Sequence, residues 1–416
     1  MTDQAVSQKR FPKRFAMLIW ALTALFLCYI DRVLISLAAI EMKDELGWSD
    51  TDKGLVLSSF FIGYLIMQIL GGILANRFGG RNVLFWAVMI WSAFTVLTPP
   101  AAQLSFSTLI FTRFMVGFGE GAAFPSVYNL ISGWMRKDEI SSSIAFMTAS
   151  SSAGTIFALL VAGKIIAIYG WPSVFFIFGG LGFLWGVFWL WLIPSRPQPA
   201  EEQVIPAKKI SKSPTPWKLL LTHPAVLCLY VIAMAGAMIS FTLVTWMPSY
   251  FADTFGMSAA EAGVYSLMPF VMLTFSTIAA GIFADWLIRR GVPTLKVRKS
   301  LTYTGFVVSA FALAAITLIS GQIAAVICMT ISFGALGVAV PGYSAIPAEL
   351  LPRHGEILYG FIAGAASLAS TVIIALTGYI LDKTGSYDQM FLIMVGGSVV
   401  GLIVFGIFAR NDPIYA

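Results

Sequence analysis

Charge and histidine are what this chain has least of. Asp, Glu, Lys and Arg make up only 11% of its 416 residues, against about 25% in soluble domains. No polar helix faces exist to meet water, which argues against a multidomain soluble fold. The two histidines, His223 and His354, stand at the edges of apolar runs, so an imidazole relay deep in the molecule is excluded. The three cysteines, Cys28, Cys228 and Cys328, all fall inside apolar runs. Their odd number and their spacing fit no metal site, and they read as packing residues. No Asn-x-Ser/Thr glycosylation acceptor occurs. No nucleophile–base pair or metal cluster marks the apolar runs as an enzyme.

What is present is apolar sequence, 58% of the chain with a mean hydropathy of +0.85. Runs of about 20 residues recur, the length that crosses a bilayer core. Twelve are predicted: Phe15–Ile40, Gly54–Ala75, Val83–Ala102, Thr108–Ile131, Ser142–Ile168, Pro172–Ile193, Ala225–Phe251, Ala262–Ile288, Leu301–Ser320, Ile323–Pro347, Ile357–Leu381 and Gln389–Ala409. The expected fold class is therefore an all-α membrane protein of twelve transmembrane helices. The first run is too long for a cleaved signal peptide, lacks an A-x-A-like site, and carries Asp31 and Arg32.

The net charge of +6 is distributed by side. Of the 26 Lys and Arg residues, 20 fall on the side of the termini, and only Lys43, Lys53 and Lys383 on the other. Arg32, Arg113 and Lys164 lie within runs. That asymmetry places both termini in the cytoplasm. It also assigns the clusters Lys9–Arg14 and Arg289–Lys299 to anionic lipid head groups and leaves no case for a nucleic-acid partner.

A polar, proline-rich stretch, Ser195–His223, divides the chain. The expected organisation is a six-helix bundle over 1–193, a cytoplasmic linker over 194–223 and a second six-helix bundle over 224–416. The halves echo each other: Gly72-Ile-Leu-Ala-Asn76-Arg77-Phe-Gly-Gly-Arg81 follows run 2, and Gly281-Ile-Phe-Ala-Asp285-Trp-Leu-Ile-Arg289-Arg290 follows run 8. Paired bundles of this kind describe carriers that rock about a central site. The Gly72–Arg81 loop resembles the loop signature of the major facilitator superfamily, with Asn76 where an acid is usual. Arg113-x-x-x-Gly117-x-Gly119 resembles that superfamily's fourth-helix motif. The drug–proton antiporters' Gly-Pro motif on run 5 is absent. More narrowly, the chain resembles the anion:cation symporter family in four places. These are Tyr29-Ile-Asp31-Arg32, Ser59-Phe-Phe-Ile-Gly63-Tyr64, Gly117-Phe-Gly-Glu120-Gly-Ala-Ala-Phe-Pro125 and Lys296-Val-Arg298-Lys299. That family includes bacterial sugar-acid importers and animal carriers of sialic acid, phosphate and glutamate. Leu57 and Gly236 stand where the vesicular glutamate carriers place basic residues, which argues against that activity.

The candidate site is built on charges in apolar sequence. A charge there costs at least about 2.5–3.5 kcal/mol, so it faces a wet cavity or a partner. Arg113 is read as the fixed cation for an anionic substrate, since a guanidinium forks onto a carboxylate. The competing reading is a structural arginine paired with Glu120 or capping carbonyls. With no histidine in the spans, proton coupling falls to Glu120 and, second, Asp31; otherwise Glu120 is a permanently ionised partner of Arg113. Arg32 is read as a second substrate cation. Asp31 resembles the bacterial sugar-acid members of the family. Tyr64 and Gln68, one turn apart on run 2, and Ser367, Ser370 and Thr371 on run 11 either hydrogen-bond a polyhydroxylated substrate or join helices. Thr242, Thr245, Tyr250 and Tyr343 would shape the other wall. Gly117 and Gly121 have the small-xxx-small spacing of close helix contact. Lys164 reads as snorkelling. Gly72, Asn76, Arg77, Arg81, Asp285 and Arg289 read as a conformational latch.

Together these readings describe a proton-coupled importer of a small organic anion, a sugar acid such as a hexonate, hexuronate or aldarate. It would use no cofactor beyond the proton gradient; the alternatives are a sodium-coupled transporter of phosphate or an organic anion, or an importer of aromatic acids or dicarboxylates. The short loop between runs 1 and 2 and the missing glycosylation acceptor fit a bacterial inner membrane, and a monomer is expected. A non-transporting anion sensor is the rival from another class.

Overall fold

The apolar runs become helices, and helices only, throughout the residues that the computed structural model describes: 13–136, 139–194, 216–351 and 355–414. In chain order they are α1 (Lys13–Leu46), α2 (Asp50–Phe78), α3 (Gly80–Leu104), α4 (Phe106–Glu120), α5 (Ala123–Trp134), α6 (Ile140–Tyr169), α7 (Pro172–Leu192), α8 (Trp217–Thr222), α9 (Pro224–Phe255), α10 (Ala259–Tyr265), α11 (Leu267–Arg289), α12 (Thr294–Ile316), α13 (Gln322–Tyr343), α14 (Ile346–Leu350), α15 (Gly355–Thr384) and α16 (Asp388–Phe408). Eleven segments are long and apolar enough to cross a bilayer, counting α10–α11 and α13–α14 as one crossing each. The twelfth crossing is α4 followed by α5.

That crossing corrects the reading of Thr108–Ile131 as one continuous helix. Pro125 has no N–H, so the carbonyl of Gly121 receives no bond from four residues ahead. The ladder tightens instead, with Ala122 N–H donating to Gly119 at 3.3 Å before Ser126 N–H resumes on Ala122 at 3.1 Å. Backbone angles stay right-handed helical at Gly121 and Ala122, so the chain bends without leaving its course. Glu120 is the last residue of α4.

An even number of crossings puts both chain ends on one face, called the basic face because it carries most Lys and Arg. Helix starts are marked by polar caps. Ser49 and Asp52 form a capping box at α2, and Ser258 and Glu261 form one at α10, each satisfying free N–H groups. α1 to α7 pack among themselves, as do α9 to α13, α15 and α16, and the two groups meet along α2 with α15, α6 with α10 and α1 with α9. Residues 195–215 of the expected linker, His354, and Lys9 and Arg10 lie outside the described residues.

Two helices can approach closely only where side chains are missing. A Cβ on Gly117 would lie 1.9 Å from the Phe60 carbonyl oxygen, and one on Gly63 would lie 2.0 Å from that of Phe114. Gly121 similarly faces the carbonyl of Tyr64 at 2.6 Å. The expected small-residue contact is thus the α2–α4 interface that carries Arg113 and Glu120. Gly117→Val should lower the thermal midpoint in detergent sharply, by the equivalent of about 3 kcal/mol or more. Gly281→Ala, with nothing within 4 Å, should leave it unchanged.

The bundles are sealed on the face opposite the basic one. Gly54 and Gly378 let α2 and α15 touch, and Gly163 and Gly263 do the same for α6 and α10. Asp382, near the end of α15, accepts from the backbone N–H groups of Asp50 and Thr51, both at 2.8 Å, and from the Thr51 hydroxyl. A carboxylate of one bundle thereby caps the first helix turn of the other, where the helix dipole favours negative charge. Toward the basic face the interior is open at Tyr359. Tyr359 lies within electrostatic range of Tyr29 and Tyr343, between the bundles, yet is 58% exposed.

Candidate transport site

Five charged residues are buried among those described: Asp31, Arg32, Lys53, Arg113 and Glu120, each at most 5% exposed. All belong to the first bundle. Four of them, Asp31 and Arg32 of α1 and Arg113 and Glu120 of α4, gather in one place.

The pairing differs from the one that spacing suggested. Glu120 bonds Arg32 of α1, Nη2 to Oε2 at 3.2 Å, and not Arg113 of its own helix. Seven residues along a helix set two side chains about 10 Å apart, beyond direct contact. Arg32 on a neighbouring helix reaches Glu120 sideways. Arg113 is fully enclosed, feels Glu120 and Asp31 electrostatically, and makes no ion pair with either. Asp31 and Arg32 point apart, as adjacent helical residues must.

Cys28 is also corrected. Its thiol donates to Glu120 Oε2 at 3.3 Å, one helical turn before Arg32. It is part of the site rather than inert packing, and nothing in a lone cysteine in apolar sequence could have signalled it.

Aromatic rings hold Arg32. Its guanidinium carbon lies 4.5 Å from the Tyr29 ring centre, 4.7 Å from Tyr64, 5.2 Å from Phe60 and 5.9 Å from Phe241 of the second bundle. Such faces attract a desolvated cation. Phe60 also lies 5.8 Å from Arg113, so one ring is shared by two like charges. Tyr64 is thereby brought to the site, as a ring over Arg32. Tyr29, Phe60 and Phe241 join it without having been singled out for this role, because a ring in an apolar run looks like any core aromatic.

Much hydrogen-bonding capacity here is unspent. Arg32 Nε and Nη1, Arg113 Nε, Glu120 Oε1 and Asp31 Oδ1 are buried without a partner. Unpaired buried polar groups are uncommon and call for an explanation. A small cavity of about 10 Å³, the space of one water, borders both arginines. Ile35, Ser36, Leu57 and Thr245 line it with them. Thr245 thus reaches the site from the second bundle. Thr242 is buried with its hydroxyl unpaired. Tyr250 instead packs against Phe251, Phe255, Tyr387 and Phe391, and Tyr343 packs against Phe306.

Gln68 and Ser367 meet each other. The serine hydroxyl donates to Gln68 Oε1 at 3.3 Å across the bundle boundary. Ser370 and Thr371 donate to the backbone of their own helix, at Ala366 and Ser367. Lys164 is exposed, as a snorkelling lysine is. At the basic face, Asn129 of α5 links Asn76 at 3.0 Å and the Gly80 N–H at 2.9 Å. Arg81 donates to Ile193 and Leu190 carbonyls of the first bundle. Arg77 lies over Phe78, and Gly72 has open space around it. These bonds stay inside one bundle. Asp285 and Arg289 make no ion pair among the described residues.

Comparison with known proteins bears on this geometry. The sequence profile described as Major Facilitator Superfamily matches residues 21–372. The chain is 36% identical over 415 residues to the Arabidopsis thaliana protein named sodium-dependent phosphate transport protein 1, chloroplastic, covering 98% of this chain and 81% of that one. It is 34% identical to the chloroplastic ascorbate transporter of the same plant, covering 98% and 76%. Among solved structures, a bacterial homologue of the human lysosomal transporter Spinster has a TM-score of 0.80 at 18% identity, over 97% of this chain and 98% of that one. A D-xylose–proton symporter has 0.77 at 18%, over 95% and 98%. At such identities these two structures speak to the fold alone.

Proposed function

Because this chain belongs to the major facilitator superfamily and gathers its central charges around an unsatisfied arginine pair, we propose that it is a proton-coupled importer of a small organic anion, a sugar acid. It is a multi-pass membrane transporter and not an enzyme. The observation that carries the finer reading is the Arg32–Glu120 ion pair beside the unpaired Arg113. In the empty carrier Glu120 neutralises Arg32. A proton on Glu120 frees Arg32, and the two guanidiniums then present donors to one carboxylate. Tyr64, Gln68, Ser367, Ser370 and Thr371, which stand toward the basic face from the arginines, would meet the hydroxyls of a hexonate or hexuronate. Asp31, unpaired and near Arg113, would be a second proton site.

Substrate and proton leave through the open side at Tyr359, and Glu120 re-pairs with Arg32. Coupling follows because a buried site tolerates few net charge states. The bundle limits 1–193 and 224–416 with their linker, and the latch of Gly72, Asn76, Arg77, Arg81, Asp285 and Arg289, belong to the same proposal. So do a monomeric state and a bacterial inner membrane, the second supported by the short α1–α2 connection and the missing glycosylation acceptors. The relatives' names place those proteins in the chloroplast.

A second reading is sodium-linked phosphate transport, favoured by the name of the 36% identical relative. One experiment separates the two. Purified carrier in liposomes is offered labelled gluconate, glucuronate, ascorbate or phosphate, first with an imposed pH gradient and no sodium, then with sodium at equal pH. Gluconate or glucuronate should accumulate under the pH gradient and ignore sodium. Phosphate uptake that needs sodium would replace the proton reading with the second.

A further inference from the structure

Lys53 is the buried charge that the central site does not use. Lys43–Lys53 reads from sequence as a polar outer loop, but α2 starts at Asp50 and carries Lys53 into the seam between the bundles. Its side chain is 0% exposed, and its Nζ has no hydrogen-bond partner. The ammonium lies 5.4 Å from the ring centre of Trp246 on the second bundle. Asp253, Asp50 and Asp44 act on it only electrostatically, without a hydrogen bond, and three carboxylates of this face have bonds of their own. Asp253 accepts from Tyr387 Oη at 2.6 Å, Asp50 accepts from Lys43 at 2.6 Å, and Asp382 caps α2. A buried cation without a partner disfavours the state that buries it, and a leucine or methionine would fill the same space at no such cost. What an ammonium adds there is attraction for an anion.

Its register supplies the destination. Lys53, Leu57 and the Phe60–Phe61 pair follow one face of α2 over about 12 Å. Leu57 and both phenylalanines line the cavity that ends on Arg32 and Arg113. Once the seam parts, Lys53 is the outermost buried cation on that face and the arginines are the next.

Resting on the carrier reading above, we propose that Lys53 is an outer capture site for the substrate's anionic group, carboxylate or phosphate, and passes it to Arg32 and Arg113. In the sealed state Trp246 covers it, and its unpaired charge favours reopening.

The test compares Lys53→Met, Lys53→Arg and Lys53→Glu in proteoliposomes. Initial gluconate uptake from the face opposite the basic one is measured below half-saturation, across a range of ionic strength. Lys53→Met should be about tenfold slower and Lys53→Glu slower still, while Lys53→Arg stays within about twofold of the wild type. Uptake by the wild type and Lys53→Arg should fall with added salt, and that of Lys53→Met should be flat. Calorimetric gluconate binding to the detergent-solubilised carrier should be unchanged in Lys53→Met, and its thermal midpoint should not drop, which keeps the test clear of misfolding. Equal losses in Lys53→Arg and Lys53→Met, or wild-type rates in Lys53→Met, would overturn the proposal. A wild-type protein that neither binds nor moves gluconate or phosphate removes the sugar-acid and phosphate readings above, and this site with them.

Discussion

Glu120→Gln should abolish accumulation driven by a pH gradient while leaving exchange of substrate across the membrane within about threefold of wild type. Glutamine keeps the size of the side chain, and its amide oxygen can still accept from Arg32 and Cys28, which now bond Glu120 Oε2 at 3.2 and 3.3 Å. What it cannot do is change charge. Permanently neutral, it leaves Arg32 free for the anion in every step, so loading and unloading proceed without a proton. Breaking a buried ion pair from one side costs about 3–5 kcal/mol, and the aromatic rings around Arg32 return part of it. The variant should therefore have a lower thermal midpoint than wild type when empty, and recover it when gluconate is added. The measurement is the steady-state ratio of internal to external gluconate, beside counterflow in the same vesicles. Full gradient-driven accumulation by the variant would sink the assignment of Glu120 as the proton carrier.

Arg113→Lys should weaken gluconate binding by about 30- to 100-fold, and Arg113→Gln by more. A hydrogen bond to a charged group is worth about 1.5–3 kcal/mol, and each 1.4 kcal/mol is tenfold in affinity. Lysine keeps the charge but not the planar fork, so the loss isolates geometry from charge. Arg113 is enclosed against Phe60, with no ion pair to Glu120 for a substitution to break. Titration calorimetry on the solubilised variants reads the effect. Near-normal affinity in Arg113→Lys would return this residue to a structural role.

Much of this arrangement could be read from the residues, for a simple reason. A charge in an apolar run cannot hide, so Asp31, Arg32, Arg113 and Glu120 announced themselves, and run length gave the crossings. Their pairing did not follow, because spacing along one helix says who shares a face and nothing about who arrives from a neighbouring helix. Glu120 therefore turned out to be Arg32's partner. Pro125 was the visible sign of the break after Glu120, outweighed by the continuous hydropathy on both sides of it. Lys53 was hidden by the opposite effect. It sits among Asp44, Asp50 and Asp52, a stretch whose polarity reads as loop, while the helices run past the apolar limits on both sides. Phe60 and Phe241 carried no sign, since rings around a cation and rings in a core have the same sequence.

The confinement of buried charge to one bundle has an electrical consequence. The four central charges, two positive and two negative when all are ionised, sum to zero, and the second bundle contributes none among the described residues. Rocking of the empty carrier then displaces almost no net charge through the membrane field, Lys53 near the sealed face being the exception. A membrane potential is worth about 2.3 kcal/mol per elementary charge per 100 mV. Little of that can act on the return of the empty molecule. It falls on the loaded one, in proportion to the protons carried in excess of the anion's charge. Voltage would thus set the speed of the inward stroke alone, and the cell's polarisation could drive accumulation without holding the carrier shut.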